Sequence, residues 1–333
     1  MLYVTLGHTD ITISRLALGC WSFAGGRYWG EQDRKASIDT VHAALDRGIN
    51  FFDTAEGYGG GRSEEVLGDS LAGRRSSAVI ATKIVDQSLD QNRVAAACEE
   101  SLRRLKTDYI DLYYIHWPNP AYPLAGTLEA MARLKEQGKV RSIGICNFGM
   151  HYLEELRASG LAHLVEVHQM PYNLLWRSIE FGIMQKSGAL GIPAVCYSPL
   201  AQGLLSGRYR QPGDVPAHMR HTRFYADESG ADHGEPGCEA EVFSALTQIA
   251  AVCDGLGHGM AEVAIAWLLC RRNVSNVLVG ARTPEELDAN LRGAETTLPA
   301  AAVAELDRIT DNLKARIGPN ADMWNNESAS RFR

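Results

Sequence analysis

The chain has 333 residues, of which 45% are hydrophobic, and it carries a formal net charge of −7 at pH 7. This length suits one large domain or two small ones, with ample material for a core. The acidic balance and the lack of a Lys/Arg-rich run argue against nucleic-acid binding. No apolar stretch is long enough to span a bilayer, so no membrane partner is expected.

The first residues and the cysteines indicate a cytoplasmic protein. The start of the chain has neither a basic n-region nor an apolar h-region, so no signal peptide is expected. The seven cysteines include no C-x-x-C pair, and four lie in apolar runs, where cysteine is usually a small buried hydrophobe. A reducing compartment fits this pattern better than secretion.

Predicted strands and helices alternate along most of the chain. Residues 2–14 are typical of a small hairpin, with turn residues between two β-rich runs. The strands predicted after it cover residues 16–19, 50–53, 79–82, 109–115, 140–146, 164–169, 193–197 and 277–280. The predicted helices cover residues 33–47, a stretch that opens at Ser63, and residues 92–105, 124–137, 150–159, 178–186, 238–256, 260–270, 284–291 and 300–313.

This alternation predicts an α/β fold, a (β/α)₈ TIM barrel with an N-terminal β-hairpin and extra helices. An open doubly wound sheet is the alternative, and the lack of a G-x-G-x-x-G at the first helix disfavours it. The barrel domain is expected to cover residues 1–317. Residues 318–333, polar apart from Trp324, are expected to form a loosely held tail.

One long irregular segment, residues 208–236, follows the seventh predicted strand. It is rich in Gly, Pro, His and charge and is too long for an ordinary barrel loop. A lid over a ligand is favoured because the segment follows a strand end, and a floppy surface insertion is the alternative.

Four polar side chains lie at consecutive predicted strand ends. Asp53, Lys83 and His116 end the second, third and fourth strands, and Tyr58 stands in the glycine-rich loop after Asp53. Each has a structural alternative, as a turn cap, a surface lysine, a rim histidine or a packed loop residue. The coincidence favours a site, because catalytic groups of such barrels lie at the carboxyl ends of strands.

A convergent Asp, Lys, Tyr and His suits carbonyl–alcohol interconversion. A free phenol has a pKa near 10, and a nearby ammonium stabilises the phenolate and lowers that pKa. Asp53 would keep Lys83 charged and aimed, and His116 would hydrogen-bond a substrate oxygen. These four residues together predict a general acid/base. The sequence contains neither a metal-ligand pattern nor a G-x-S-x-G motif for a serine nucleophile.

Over nearly its whole length the sequence resembles an aldo-keto reductase, of the bacterial and plant subgroup with a Gly-Ala-Arg signature. The motifs that carry the resemblance are FDTAxxYG from Phe52, ATK from Ala81, IHWP from Ile115, IGICNF from Ile143, YSPLAQGLLSG from Tyr197 and GARTPEEL from Gly280.

The resemblance implies that Tyr58 donates the proton, that Lys83 and Asp53 adjust the acidity of Tyr58, and that His116 orients the carbonyl. It also implies a nicotinamide cofactor at the barrel mouth without a Rossmann fold. The cofactor-binding residues implied are Trp21, Asp53, Cys146, Asn147, Gln169, Tyr197, Ser198, Pro199, Leu200, Gln202, Gly203, Leu204, Ser206, Gly280, Arg282, Glu286 and Asn290.

Parts of that cofactor are assigned to particular residues by the same resemblance. Asn147 and Gln169 should hold the carboxamide, Tyr197 should stack on the nicotinamide ring, and residues 198–206 should wrap the pyrophosphate. The adenosine 2′ end should be held by Gly280, Arg282, Glu286 and Asn290. Independently of the family, glycines let amides approach phosphate, and the N-terminus of the helix that begins at residue 284 favours anions.

The sequence departs from the family pattern at three cofactor positions. Cys146 stands where Ser is usual, Glu286 where many members carry Arg or Gln, and Ala289 where a Glu is common. An acidic residue near a ribose hydroxyl is typical of NAD binders, whereas Arg282 favours NADP. NADP (NADPH) is expected as the cofactor, with NAD as the alternative.

The substrate is expected to be a small carbonyl compound or sugar, because Trp21, Tyr28, Trp29 and Trp117 indicate an aromatic-walled pocket. Such walls suit sugar faces, aryl aldehydes and polyketide rings equally, and the sequence leaves the oligomeric state open. Two other functions stay open: a regulatory nicotinamide-binding protein of the same fold, and a Schiff-base lyase that uses Lys83 as nucleophile.

Overall fold

The computed structural model describes residues 1–226, 231 and 233–333, apart from the side chains of Arg27 and Tyr28. A hairpin of β1 (Tyr3–Thr5) and β2 (Thr12–Ser14) precedes a closed barrel of eight parallel strands. The barrel strands are β3 (Leu16–Gly19), β4 (Phe51–Asp53), β5 (Val79–Ile84), β6 (Ile110–Ile115), β7 (Val140–Cys146), β8 (Val165–Pro171), β9 (Ala194–Tyr197) and β10 (Val274–Gly280). The predicted (β/α)₈ barrel is confirmed.

The helices between the strands begin and end close to the predicted positions. They are α1 (Gly26–Trp29), α2 (Arg34–Asp46), α3 (Arg62–Ser70), α4 (Val94–Leu105), α5 (Leu124–Glu136), α6 (Met150–Ala158), α7 (Ile183–Ala189), α8 (Glu239–Leu256), α9 (Met260–Leu269), α10 (Pro284–Glu295) and α11 (Ala300–Ile317). The helix predicted over residues 178–186 is divided into a 3₁₀ turn and α7, because Gly182 between them adopts a φ of 154°. Within the described residues no single helix has the length and apolar composition of a membrane span, and α8 and α9 reach these only as a pair bent by 90°.

The barrel interior is closed at one end and open at the other. Leu6, Ile11 and Ile13 of the hairpin segment are buried against Phe51 and Ala17, near the start of the strands. The hairpin therefore plugs the amino-terminal end of the barrel, and the carboxyl ends of the strands form the open mouth.

The long segment after β9 is partly ordered into 3₁₀ turns, Pro212–Asp214 and Ala217–Met219. The second turn contacts α1, so this segment extends past β10 to the loop that follows β3. Residues 227–230 and 232 of the predicted lid lie outside the described residues, and its role as a lid stays a prediction.

The expectation of a loosely held carboxyl-terminal tail is wrong. Ala321, Asp322 and Met323 are buried, and the Asp322 carboxylate accepts hydrogen bonds from Arg331, Trp324 and other tail groups. The polar groups of the tail form hydrogen bonds with one another instead of with solvent. A polar sequence alone does not distinguish these two cases.

Candidate active site

A buried ion pair lies at the centre of the barrel mouth. Lys83 in β5 is fully buried, and its Nζ lies 2.5 Å from Oδ1 of Asp53 at the end of β4. The same ammonium donates to the Thr54 carbonyl oxygen at 2.8 Å and lies 3.3 Å from the Tyr58 hydroxyl. Neighbouring parallel strands thus bring three of the four predicted catalytic side chains into one hydrogen-bonded group.

The loop that carries Tyr58 is held at several backbone positions. The Tyr58 amide donates to the Ala55 carbonyl at 3.0 Å, and Gly59 adopts a φ of 63° where a Cβ would lie 3.1 Å from that of Ala24. The Tyr58 ring stacks on Trp21 with a centroid separation of 5.9 Å. A glycine is required at residue 59 by both the left-handed backbone and the close approach.

The protonation states follow from burial and from the ion pair. Burial raises the pKa of Tyr58 to about 12, although the Lys83 charge acts in the opposite direction. The net lowering of the Tyr58 pKa that the sequence suggested is therefore wrong, because desolvation outweighs the ammonium. Burial disfavours a charged Lys83, but Asp53 and Tyr58 raise its pKa overall, so a proton stays on both Tyr58 and Lys83 at neutral pH.

His116 follows β6 and faces Tyr58. The two rings lie edge to face with centroids 5.7 Å apart. Burial, together with the positive charges of Lys83 and Arg331, holds the pKa of His116 well below its usual value. The imidazole is therefore neutral at neutral pH and has one N–H to donate.

The residues expected to hold a carboxamide are linked to this group. The Gln169 amide donates to Oδ2 of Asp53 at 2.8 Å, and the Cys146 thiol points to Oε1 of Gln169 at 3.6 Å. Asn147 donates to the His116 carbonyl at 3.0 Å and accepts from the Tyr197 hydroxyl at 2.8 Å. The sequence did not predict these connections, because they join residues far apart in the chain.

The loop after β9 has an unusual backbone. Ser198, Ala201 and Gln202 adopt left-handed φ values of 55°, 47° and 54°, and Gly203 follows at 95°. The Nε2 atom of Gln202 is buried without a hydrogen-bond partner among the described residues. An anion-binding nest is formed where a right-handed residue precedes a left-handed one, so that successive amides point to one side. Leu200, with a φ of −100°, followed by the left-handed Ala201 has this geometry, so this loop fits a phosphate-bearing ligand.

The other predicted cofactor residues of this loop, Pro199, Leu200, Leu204 and Ser206, lie in or beside the turn Ala201–Ser206. Beyond β10, Asn290 of α10 donates to the carbonyl of Gly280 at 3.1 Å. All these residues therefore lie at the carboxyl ends of β9 and β10.

The predicted 2′ end of the cofactor site contains an acidic side chain. Glu286 accepts a hydrogen bond from the Arg282 amide at 2.9 Å and lies 3.5 Å from the Arg208 guanidinium. The Arg282 guanidinium is held by Gln32 at 2.7 Å and by the Glu31 carbonyl at 2.6 Å. Gln32 and Arg208 are not among the residues predicted from the sequence, and no motif indicates them, since Gln32 is 250 residues from Arg282.

Aromatic side chains line two sides of the mouth. Trp21 and Trp29 meet edge to face with centroids 5.3 Å apart, whereas the side chain of Tyr28 lies outside the described residues. On the other side, Trp117 contacts Phe332, and the Arg331 guanidinium lies 3.7 Å from the Trp117 ring. The tail thus supplies wall residues that were not predicted from the sequence.

Comparison with known proteins gives one consistent result. The family model described as "Aldo/keto reductase family" matches residues 15–311. The chain is 32% identical to the aldo-keto reductase YhdN of Bacillus subtilis, over 96% of this chain and 97% of that protein. It is also 32% identical to the NADH-specific methylglyoxal reductase of Escherichia coli, over 92% and 100%. An aldo-keto reductase of Klebsiella pneumoniae, solved in complex with NADPH, superposes with a TM-score of 0.73 at 26% identity, covering 93% of this chain and 96% of that one.

Proposed function

Because the chain belongs to the aldo/keto reductase family, we propose that it interconverts an aldehyde or ketone, possibly a sugar, with the corresponding alcohol, using NAD(P)H. The observation that supports this most directly is the contact of 3.3 Å between the Tyr58 hydroxyl and the Lys83 ammonium, beside a neutral His116. Together they form a proton donor, a charge that stabilises the resulting phenolate, and a hydrogen-bond donor for a carbonyl oxygen.

In the reductive direction Tyr58 gives its proton to the carbonyl oxygen of the substrate. The Lys83 ammonium stabilises the phenolate left behind, and Asp53 keeps Lys83 charged and fixed at 2.5 Å. His116 donates its single N–H to the same carbonyl oxygen and so orients it. A bound nicotinamide would supply the hydride. In the oxidative direction the Tyr58 phenolate would accept the proton of the alcohol.

The cofactor is proposed to bind along the carboxyl ends of β7 to β10. The loop at residues 198–203, with its left-handed residues, and the N-terminus of α10 fit its phosphates. The neighbour from Klebsiella pneumoniae was solved with NADPH, whereas the Escherichia coli relative is an NADH-specific enzyme. We propose NADP(H) as the main cofactor because the guanidinium groups of Arg282 and Arg208 are available near the proposed 2′ end, with NAD(H) as the alternative that Glu286 favours.

A Schiff-base lyase is less compatible with the geometry. The attacking lysine of such an enzyme must be a neutral, accessible amine. Lys83 is fully buried, bonded to Asp53 and Thr54, and its pKa is raised. The proposed reductase needs Lys83 in this charged state.

The direct test is turnover with both nicotinamides. Purified protein is mixed with NADPH or NADH and a panel of aryl aldehydes, ketones, 2-oxoaldehydes and sugars, and cofactor oxidation is followed by absorbance. We expect substrate-dependent oxidation that disappears in Tyr58→Phe. Cofactor binding without turnover on any member of the panel would favour a regulatory protein. Borohydride trapping of substrate carbon on Lys83 would favour the lyase.

All seven cysteines are free thiols, six of them buried. Free thiols are typical of a reducing compartment, so we propose that the reaction takes place in the cytoplasm.

A further inference from the structure

We propose that Glu56 is a positioning residue, which holds the Tyr58 loop against β5 and thereby sets the distance between the Tyr58 hydroxyl and the Lys83 ammonium. The proposal rests on the proposed function, since it concerns the same proton donor. Glu56 is two residues before Tyr58, and its carboxylate contacts the Val85 amide and the Arg104 guanidinium.

The side chain of Glu56 completes a ladder between two parallel segments. Beyond the end of β4, the Thr54 amide donates to the Ala81 carbonyl at 2.9 Å, and the Glu56 amide donates to the Lys83 carbonyl at 3.4 Å. On the other segment, the amide of Val85, the first residue after β5, donates to Oε1 of Glu56 at 2.6 Å. A side-chain carboxylate thus takes the place of a backbone carbonyl and extends the pairing by one rung past Lys83.

Arg104 of α4 holds this carboxylate from behind. Its guanidinium lies 3.7 Å from Oε2 of Glu56 and 2.5 Å from Oε2 of Glu64 in α3. Glu64 is fully buried and accepts the Thr82 hydroxyl at 2.6 Å. Arg104 therefore connects the Tyr58 loop to Thr82, the residue immediately before Lys83, as well as to Val85 through Glu56.

The loop itself has little intrinsic rigidity. Gly57, Gly59, Gly60 and Gly61 surround Tyr58, and glycine has the greatest backbone freedom of any residue. Backbone hydrogen bonds such as Tyr58 to Ala55 hold the loop internally, and the Glu56 carboxylate adds a side-chain contact from the loop to Val85, two residues after Lys83. A loop displaced by about 1 Å costs on the order of a hundredfold in rate when it carries a reacting group.

The test compares Glu56→Ala with Glu65→Ala, a matched control at an exposed residue in the first turn of α3. We expect kcat of Glu56→Ala to fall about tenfold to a hundredfold, with the KM for the cofactor unchanged. The pH at which Tyr58 loses its proton should rise, because the phenolate lies farther from Lys83. Glu56→Gln, which keeps an oxygen for the Val85 amide, should recover much of the rate, and Glu65→Ala should match wild type.

A purely structural role predicts a different result. In that case Glu56→Ala would lower the melting temperature but leave kcat per folded molecule and the pH profile unchanged, and the proposal would be overturned. If Glu56→Ala does not fold, Glu56→Asp provides the same comparison, because its carboxylate is one methylene too short to reach Val85. A crystal structure of the folded variant should show the Tyr58 Oη to Lys83 Nζ distance increased beyond 3.3 Å. That distance is independent of turnover, so it decides the positioning role even if no carbonyl compound is reduced.

Discussion

The two sides of the barrel mouth each contain an ion pair, and the two pairs differ in their exposure to solvent. Near the carboxyl ends of β4 and β5, the side chains of Lys83 and Asp53 are 0% and 4% exposed and directly paired. After β9 and β10, Arg208 and Glu286 are 68% and 38% exposed and lie 3.5 Å apart. Breaking a buried pair costs about 3–5 kcal/mol, whereas an exposed pair contributes about 0–1 kcal/mol. The reaction geometry is therefore constrained by folding, and the cofactor preference can change through single surface residues at little cost in stability.

Among the variants that test this difference, removal of the proton donor on the buried side is expected to have the largest effect. Tyr58→Phe should lower kcat by roughly 10²–10⁴-fold, the contribution of a single general acid. Cofactor affinity should be nearly unchanged, since the ring and its stacking on Trp21 are kept. Steady-state kinetics and cofactor titration check both parts, and near-normal turnover would exclude Tyr58 as the donor.

Lys83→Met tests whether the buried side also determines stability. Burial raises the pKa of Asp53, and Lys83 and Gln169 act in the opposite direction. Loss of the ammonium should therefore raise that pKa further. We expect about 3–5 kcal/mol less unfolding free energy, a slower reaction near neutrality and a Tyr58 ionisation shifted to higher pH. Denaturant unfolding and a pH–rate profile measure these effects. An active variant with an unchanged profile would show that Lys83 is not part of the acid system.

On the exposed side, Arg282→Ala and Glu286→Gln should alter cofactor preference without altering stability. A charge-assisted bond from Arg282 to a 2′-phosphate is worth roughly 1.5–3 kcal/mol, so Arg282→Ala should weaken NADPH at least about tenfold and leave NADH nearly unchanged. Glu286→Gln should favour NADPH, because it removes a carboxylate from the N-terminus of α10.

Isothermal titration of both cofactors against wild type and the two variants distinguishes the alternatives. The Arg282 guanidinium is bonded to Gln32 and to the Glu31 carbonyl, so its release toward a phosphate has a cost that the titration would reveal. Tighter NADH binding by wild type, with a preference that Arg282→Ala leaves unchanged, would identify an NAD enzyme.

The smallest effect is expected in the tail. Burial raises the pKa of Asp322, but hydrogen bonds and charge from Arg331 lower it overall. A depressed folded pKa contributes stability that is present above the unfolded value of about 3.9 and is lost as the pH falls through the folded pKa. Asp322→Asn should therefore loosen the tail at neutral pH as acid does in wild type.

The expected readout of Asp322→Asn is a few-fold higher KM for aromatic substrates, because Trp117 loses part of its packing against Arg331 and Phe332. Hydrogen exchange of residues 320–333 should be faster, whereas kcat and Tyr58 ionisation should stay the same. Protected tail amides in this variant would contradict an anchoring role for the Asp322–Arg331 pair.

The sequence determined the barrel and the meeting of Asp53, Lys83 and His116, because both depend on local patterns. Strand and helix periods predict the alternation, and parallel strands place their carboxyl ends at one mouth. Tyr58 could be included because it lies five residues from Asp53 in a loop of glycines. The same local logic predicted the helix at residue 284, which Thr283 caps and Pro284 opens.

Only the tertiary structure decided the sign of the Tyr58 pKa shift, the order of the tail and the partners of Arg282. Each depends on how much water is excluded or on which distant residue lies nearby, as Gln32 does beside Arg282. Desolvation at Tyr58 is the sum of contributions from several elements, and no window of the sequence contains that sum. Local patterns therefore predict which groups meet, and the surrounding packing decides their charge, their partners and their mobility.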